Sequence, residues 1–325
     1  MAYHKDIVIR ARARLEQAKA DRESVQREHL MHAYNRVPRL RQIDLELRRS
    51  MALAAQAVFT QGGDARAAME QVKEANLALQ AERQLLVDVS FPKGYLDESP
   101  ICPHCGGSGY VGSTMCGCLR ELCRQEQQKE LSVLACGEGS FDTFRLDYYP
   151  DRVDPQLGVS PRAVMQKNLQ LCRRYTEHFG SGNLLFVGGT GLGKTFLSAC
   201  IAREVASQGH SVAYETAAHL FSKLERNRFN PDEESRDAVR KLETCDLLII
   251  DDLGTELPGN FVTAALYNLL NDRLLAGKPM VISTNLTVEE LKNRYSPQIA
   301  SRLQGSFQRL VFVGEDIRIL KNRGL

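Results

Sequence analysis

The chain of 325 residues is long enough for two domains of ordinary size. Its 42 Lys and Arg face 40 Asp and Glu for a net charge of +2, and its 43% hydrophobic share is that of a globular core. No apolar run approaches the roughly 18 residues of a membrane span, and the charge balance excludes a protein that binds nucleic acid all over its surface, so any such contact must be local.

The Arg-rich amino terminus carries Asp6, Glu16 and Asp21 and lacks the Ser enrichment and cleavage-type apolar core of a targeting segment. It reads as mature helix, and the protein as cytoplasmic. Residues 1–95 form an α-helical, coiled-coil-like arm. A first helix is predicted over Asp6 to Tyr34, and a second opens at Pro38 with Leu40, Ile43, Leu47, Met51, Ala54 and Val58 on one face. Gly62 and Gly63 break it. Asp64 then caps a third helix in which Val72, Leu79 and Leu86 recur every seven residues beside Ala68 and Ala75, the seam of a helical pairing. Such an arm serves either as an intrachain spacer or as a docking element for another protein.

Residues 96–135 hold five of the nine cysteines, while Cys136, Cys172, Cys200 and Cys245 are scattered singly. That distribution suits a reduced compartment and a metal site. Cys102-Pro-His-Cys105 and Cys116-Gly-Cys118 are two thiol pairs separated by a glycine-rich hairpin. They can converge tetrahedrally on one ion, and soft thiolates with no open position indicate structural Zn2+. Cys123 and His104 are the alternatives for one ligand.

Residues 136–325 alternate strands with helices. Strands are predicted over Asn183–Val187, Ser211–Thr216, Asp246–Ile250, Pro279–Asn285 and Arg309–Val313. Helices are predicted over Lys194–Gln208, closed by Gly209, and Phe261–Ala276, closed by Gly277, with a short one after the capping box of Thr287 and Glu290. This alternation implies a doubly wound parallel α/β sheet.

Between a strand and a helix stands Gly188-Gly189-Thr190-Gly191-Leu192-Gly193-Lys194-Thr195, a phosphate-binding loop. Its glycines let backbone N–H groups curl around a phosphate, Lys194 reaches the β and γ oxygens, and Thr195 ligates Mg2+. Asp251 and Asp252 end an apolar strand, at the sheet edge that faces ligand. Asp251 is the metal-side carboxylate, Asp252 the candidate for polarising the attacking water, and Glu256 a second possibility. Asn285 ends another strand, placed to hold the water beside the γ-phosphate or sense its loss.

These residues in this order, GGTGLGKTFLS, LLIIDDLGTE, VISTNL, SRLQGSF and GEDIR, resemble the DnaC/DnaI-type bacterial helicase loaders of the AAA+ superfamily and the related IstB transposition ATPases. The resemblance spans about residues 140–325 and, more weakly, the helical arm and Cys-rich knuckle. It implies that Lys194 and Thr195 are Walker A residues, Asp251 and Asp252 the Walker B pair, Asn285 sensor 1, Arg302 an arginine finger and Arg318 sensor 2. Surface salt bridges are the alternative role for the two arginines. The superfamily usually has Glu where Asp252 stands, which leaves the base open between Asp252 and Glu256. The resemblance further implies an ATPase that binds ATP and single-stranded DNA, engages a replicative DNA helicase through its arm and knuckle, forms an ATP-dependent homo-oligomer and needs no membrane. The chain ends soon after Arg318, so no helix-turn-helix reader is expected. A transposition helper ATPase and a nucleotide-gated adaptor with little hydrolysis are the alternatives.

Overall fold

Three long helices open the chain, as the apolar spacing predicts: α1 (Lys5–Arg36), α2 (Pro38–Phe59) and α3 (Ala65–Ser90). The computed structural model describes residues 3–59, 65–134, 139–155, 158–180 and 182–322. Gly62, Gly63, Asp64 and Cys136 lie outside the described residues, as do the side chains of Met51, Ala54, Val58 and Ala68. Two compact units divide the chain: Met1–Arg12 with Leu119–Leu325, and Ala13–Cys118. Among the described residues no helix is long and apolar enough to cross a membrane.

In the Ala13–Cys118 unit, α2 starts at Pro38, whose missing N–H would be unpaired there anyway. Leu40 and Ile43 are buried and Leu47 half-buried; α3 packs against α2 with Val72, Leu79 and Leu86 half-buried, and Leu86 joins Leu40 in one apolar cluster. Ala75 is exposed; Asn76 completes the seam instead and accepts a hydrogen bond from Ser50 Oγ at 2.5 Å. Charged pairs flank it: Arg39 donates to both oxygens of Glu82 at 2.8 and 2.9 Å, and Arg83 Nε to Asp44 at 2.8 Å. The middle of α1 is held by polar contacts rather than an apolar stripe. Arg22 Nη2 reaches Asp97 at 3.2 Å, Gln26 reaches the Asp97 carbonyl at 2.8 Å, and the His29 ring stacks on Tyr95 at 4.1 Å. A two-stranded antiparallel hairpin follows, β1 (Tyr110–Val111) and β2 (Thr114–Met115), with Tyr110 opposite Met115. Then comes α4 (Gly117–Leu134).

The larger unit continues with α5 (Pro161–Glu177), β3 (Leu184–Val187), α6 (Lys194–Ser207), β4 (Val212–Thr216), α7 (Ala217–Phe229) and α8 (Glu233–Thr244). Next are β5 (Leu247–Leu253), α9 (Asn260–Leu275), β6 (Met280–Thr284), α10 (Val288–Arg294), α11 (Pro297–Ser306), β7 (Gln308–Val311) and α12 (Ile317–Asn322). Helices α4, α5, α7, α8, α11 and α12 are additions to the sequence reading. Four of them carry local start signals: Ser160 and Ser296 cap helices with Pro at their first position, Thr216 caps α7, and Asp232 with Ser235 forms a capping box.

All five strands of the sheet are parallel, in the order β4-β5-β6-β3-β7. Side chains alternate across it. Leu247 and Ile249 of β5 join Phe186, Val281 and Leu310 in a core under α5 and α6, while Leu248 and Ile250 join Leu185, Ile282 and residues of α7, α9, α10 and α11 on the opposite face. With helices on both faces, the architecture is a doubly wound parallel α/β fold. Both outer strands are closed by an amide side chain. Gln127 of α4 donates to the His210 carbonyl at 2.6 Å and accepts from Val212 N at 3.2 Å along β4; Asn168 of α5 donates to the Val311 carbonyl of β7 at 2.8 Å.

Candidate nucleotide-binding site

Because the strands are parallel, the loops after β3, β5 and β6 emerge at one edge of the sheet. They line a cavity of about 470 Å³ whose walls include Thr190–Thr195, Asp252, Thr255, Asn285 and Arg318. The loop between β3 and α6 turns through left-handed backbone at Gly191 (φ 70°) and Gly193 (φ 90°). Side chains there would be strained and would also collide: a Cβ at Gly193 would sit 2.9 Å from Tyr149 Oη, and one at Gly191 would meet the Asp316 carboxylate. The bare cradle opens onto the start of α6, which suits a phosphate.

Lys194, 4% exposed, donates from Nζ to the carbonyls of Gly188 at 2.8 Å and Gly189 at 2.6 Å, and to Asn285 Oδ1 at 2.5 Å. Burial lowers its pKa, opposed by the negative charges of Asp252 and Asp251. Asp251, 3% exposed, is oriented at both oxygens, by Tyr214 Oη at 2.9 Å and Ser283 Oγ at 2.5 Å.

Strand β5 runs three residues past the predicted Ile250, and its register with β6 shifts between Ile250 and Leu253. This irregularity re-aims the two acids. Asp252 adopts φ 56°, a conformation that Asp enters more readily than most residues, and its N–H donates to Ser283 Oγ at 2.8 Å. Burial and the neighbouring Asp251 raise its pKa, while Lys194 and Arg318 pull the other way. Glu256 does not line the cavity. It accepts from Gly254 N at 2.9 Å, from Arg294 Nε at 3.3 Å and from the Tyr295 hydroxyl, which makes it a brace between the loop after β5 and the end of α10.

Arg318 lines the cavity and its N–H donates to Asp316 Oδ1 at 2.8 Å, while Ile317 N donates to the Gly191 carbonyl at 3.0 Å. Arg302 stands apart from the cavity, on α11. Sequence reading missed the wall opposite the loop, Thr143, Phe144, Arg145, Tyr148 and Tyr149. There Phe144 stacks on Tyr149 at 5.7 Å, Arg145 lies 4.5 Å over the Tyr148 ring, and Tyr149 Oη donates to the Leu192 carbonyl at 2.9 Å. The only signal was four aromatics between 141 and 149 in a chain that is 7% aromatic.

In the other unit, the Sγ atoms of Cys102, Cys105, Cys116 and Cys118 lie within 4.8 Å of one another. The separations of 3.8 Å between Cys102 and Cys116 and 3.5 Å between Cys105 and Cys118 compare with about 3.8 Å along the edge of a tetrahedron with metal–sulfur bonds of about 2.3 Å. The group contains neither His104 nor Cys123. Burial opposes charge on Cys105, but the N–H groups of Gly109 and Gly107 and the adjoining thiols bring its pKa down to about 6. Burial and the adjoining thiols push Cys118 up to about 12. Metal-stabilised thiolates would resolve this contest.

Residues 161–319 match the model of the family of IstB-like ATP binding proteins. The replicative helicase loader DnaC of Escherichia coli (strain K12) is 27% identical over 139 residues, 42% of this chain and 56% of that protein. The replicative helicase loader DnaI of Bacillus subtilis (strain 168) is 25% identical over 135 residues, 41% of this chain and 43% of that protein. The chain thus spans about half the length of these curated relatives. The crystal structure of the DnaC helicase loader superposes with a TM-score of 0.46 at 19% identity, covering 54% of this chain and 97% of that one.

Proposed function

We propose that this chain is an ATP-dependent loader of a replicative DNA helicase, an ATPase whose arm and knuckle engage the helicase while the ATP-binding domain binds single-stranded DNA and uses hydrolysis as a switch. The reading rests on the convergence of the phosphate loop, Asp252, Asn285 and Arg318 on one cavity, with Asp251 buried behind Asp252, within a domain related to named loaders. Lys194 would pair with the β and γ phosphates of ATP, with Thr195 and Asp251 holding Mg2+, which screens the phosphate charge. Asp252 is the group that accepts a proton from, or polarises, the attacking water; its upward-shifted pKa strengthens it as a base. Asn285, bonded to Lys194, would report on the γ-phosphate, and Arg318, which lines the cavity, would contact it from the side of α12. Arg302, outside its own cavity, completes the site of a neighbouring copy in an ATP-dependent homo-oligomer.

The decisive experiment follows the full chain and a replicative helicase through gel filtration with ATP, with ADP and without nucleotide, and measures phosphate release with and without single-stranded DNA. Nucleotide-dependent co-elution and DNA-responsive turnover are expected. Absence of co-elution refutes the loader reading. Capture of a transposase instead would favour the helper role that the IstB-like family match keeps open, and ATP binding without turnover would leave a nucleotide-gated adaptor.

The four thiols hold Zn2+ in a segment too small to own a core. Cys105→Ser should therefore release about one zinc equivalent and loosen residues 101–118 without lowering ATP affinity, because structural metal supplies folding energy locally. Metal analysis with hydrogen exchange on the same sample checks both halves, and a wild-type protein free of zinc would refute the assignment.

A further inference from the structure

Arg302 is half-buried and makes no ion pair among the described residues. Its Nη2 donates to Tyr267 Oη at 2.8 Å and Asn271 Oδ1 at 3.2 Å, and its guanidinium carbon lies 4.3 Å from the centre of the Tyr267 ring. Tyr267 and Asn271 are four residues apart on α9, hence on one face of it, so a single helix supplies the whole cradle. No carboxylate takes part in that cradle. A carboxylate fixes a guanidinium by cancelling its charge. A phenol oxygen, an amide oxygen and a π face fix it while leaving that charge in place. All its hydrogen bonds among the described residues run from Nη2, so Nε and Nη1 remain available to an incoming anion.

We propose that Tyr267 and Asn271 are positioning residues that present Arg302, aimed and un-neutralised, to the triphosphate of ATP bound by a second copy of this chain. The inference rests on the reading of Arg302 as a group acting in trans.

Asn271→Asp tests it with almost no change of shape, since it substitutes a charged acceptor for a neutral one. Phosphate release by the full chain should fall by about tenfold or more in kcat at unchanged KM for ATP, because the carboxylate competes for the charge the phosphate needs. Tyr267→Phe keeps the ring and loses one acceptor, and its kcat should fall by a few-fold, again at constant KM. A mixing experiment then separates positioning from general damage. Asn271→Asp impairs the arginine a chain lends, not the cavity it owns, so adding Lys194→Ala chains, whose Arg302 is intact, should restore part of the activity. The proposal is overturned if both variants keep wild-type kcat, if KM rises in step with the loss, or if Asn271→Asp is not rescued where Arg302→Ala is. Failure of Arg302→Ala itself to be rescued by the same partner would remove the trans reading underneath, and the proposal with it.

Discussion

Lys194→Ala is expected to abolish tight ATP binding while leaving the fold in place. The side chain is almost fully buried, yet its contacts are with two loop carbonyls and Asn285, not with the apolar core. Truncation therefore removes a cation from a polar cradle rather than opening a cavity under the sheet. Each charge-assisted hydrogen bond to phosphate contributes roughly 1.5–3 kcal/mol, so losing two weakens binding by about 10²–10⁴-fold. Titration with a fluorescent ATP analogue reads the affinity, and thermal melting without nucleotide reads the fold. Unchanged affinity would sink the phosphate-loop assignment.

The second large effect concerns Arg302. Its removal should leave ATP affinity nearly normal, since it lies outside the cavity of its own chain, but should cost up to about 10³-fold in hydrolysis if it stabilises transition-state charge as such arginines do. On the proposed assembly, neither Lys194→Ala nor Arg302→Ala alone has a working interface. Mixed, they form hybrid interfaces in which one chain contributes Lys194 and its neighbour Arg302, so turnover should rise toward intermediate ratios. An arginine acting in its own chain predicts a flat response, because every chain would then lack one essential group. Flat mixing curves, at protein concentrations where wild-type turnover still increases, would count against the ordered assembly.

The candidate site was legible in sequence where its chemistry is local. Gly188–Thr195 are contiguous, Asp251 and Asp252 close an apolar run, Asn285 closes another, and the four cysteines form two short pairs. Each pattern can be read without knowing what lies across the fold. The wall of Phe144, Arg145, Tyr148 and Tyr149 could not, because its two short 3₁₀ turns have no period, and only the packed structure brings them opposite the loop. The extension of β5 was hidden for a related reason: Asp251 and Asp252 look like a strand end by polarity, while Tyr214 and Ser283 make it possible to bury Asp251 within the ladder. In the arm, the seven-residue spacing points to Ala75, whereas Asn76 holds the seam through Ser50, a partner on a different helix.

The amides that close β4 and β7 have a consequence for how copies of the chain can meet. An exposed outer strand is a template on which another strand can dock, the usual route to runaway association. Here each outer strand already spends backbone groups on Gln127 or Asn168, so an intruding strand would have to displace them. Contacts between copies are thereby steered from backbone zippering, which any extended segment can imitate, toward side-chain surfaces that only a correctly folded copy presents. Gln127 and Asn168 act in this sense as insulation, denying unfolded neighbours a seam to join.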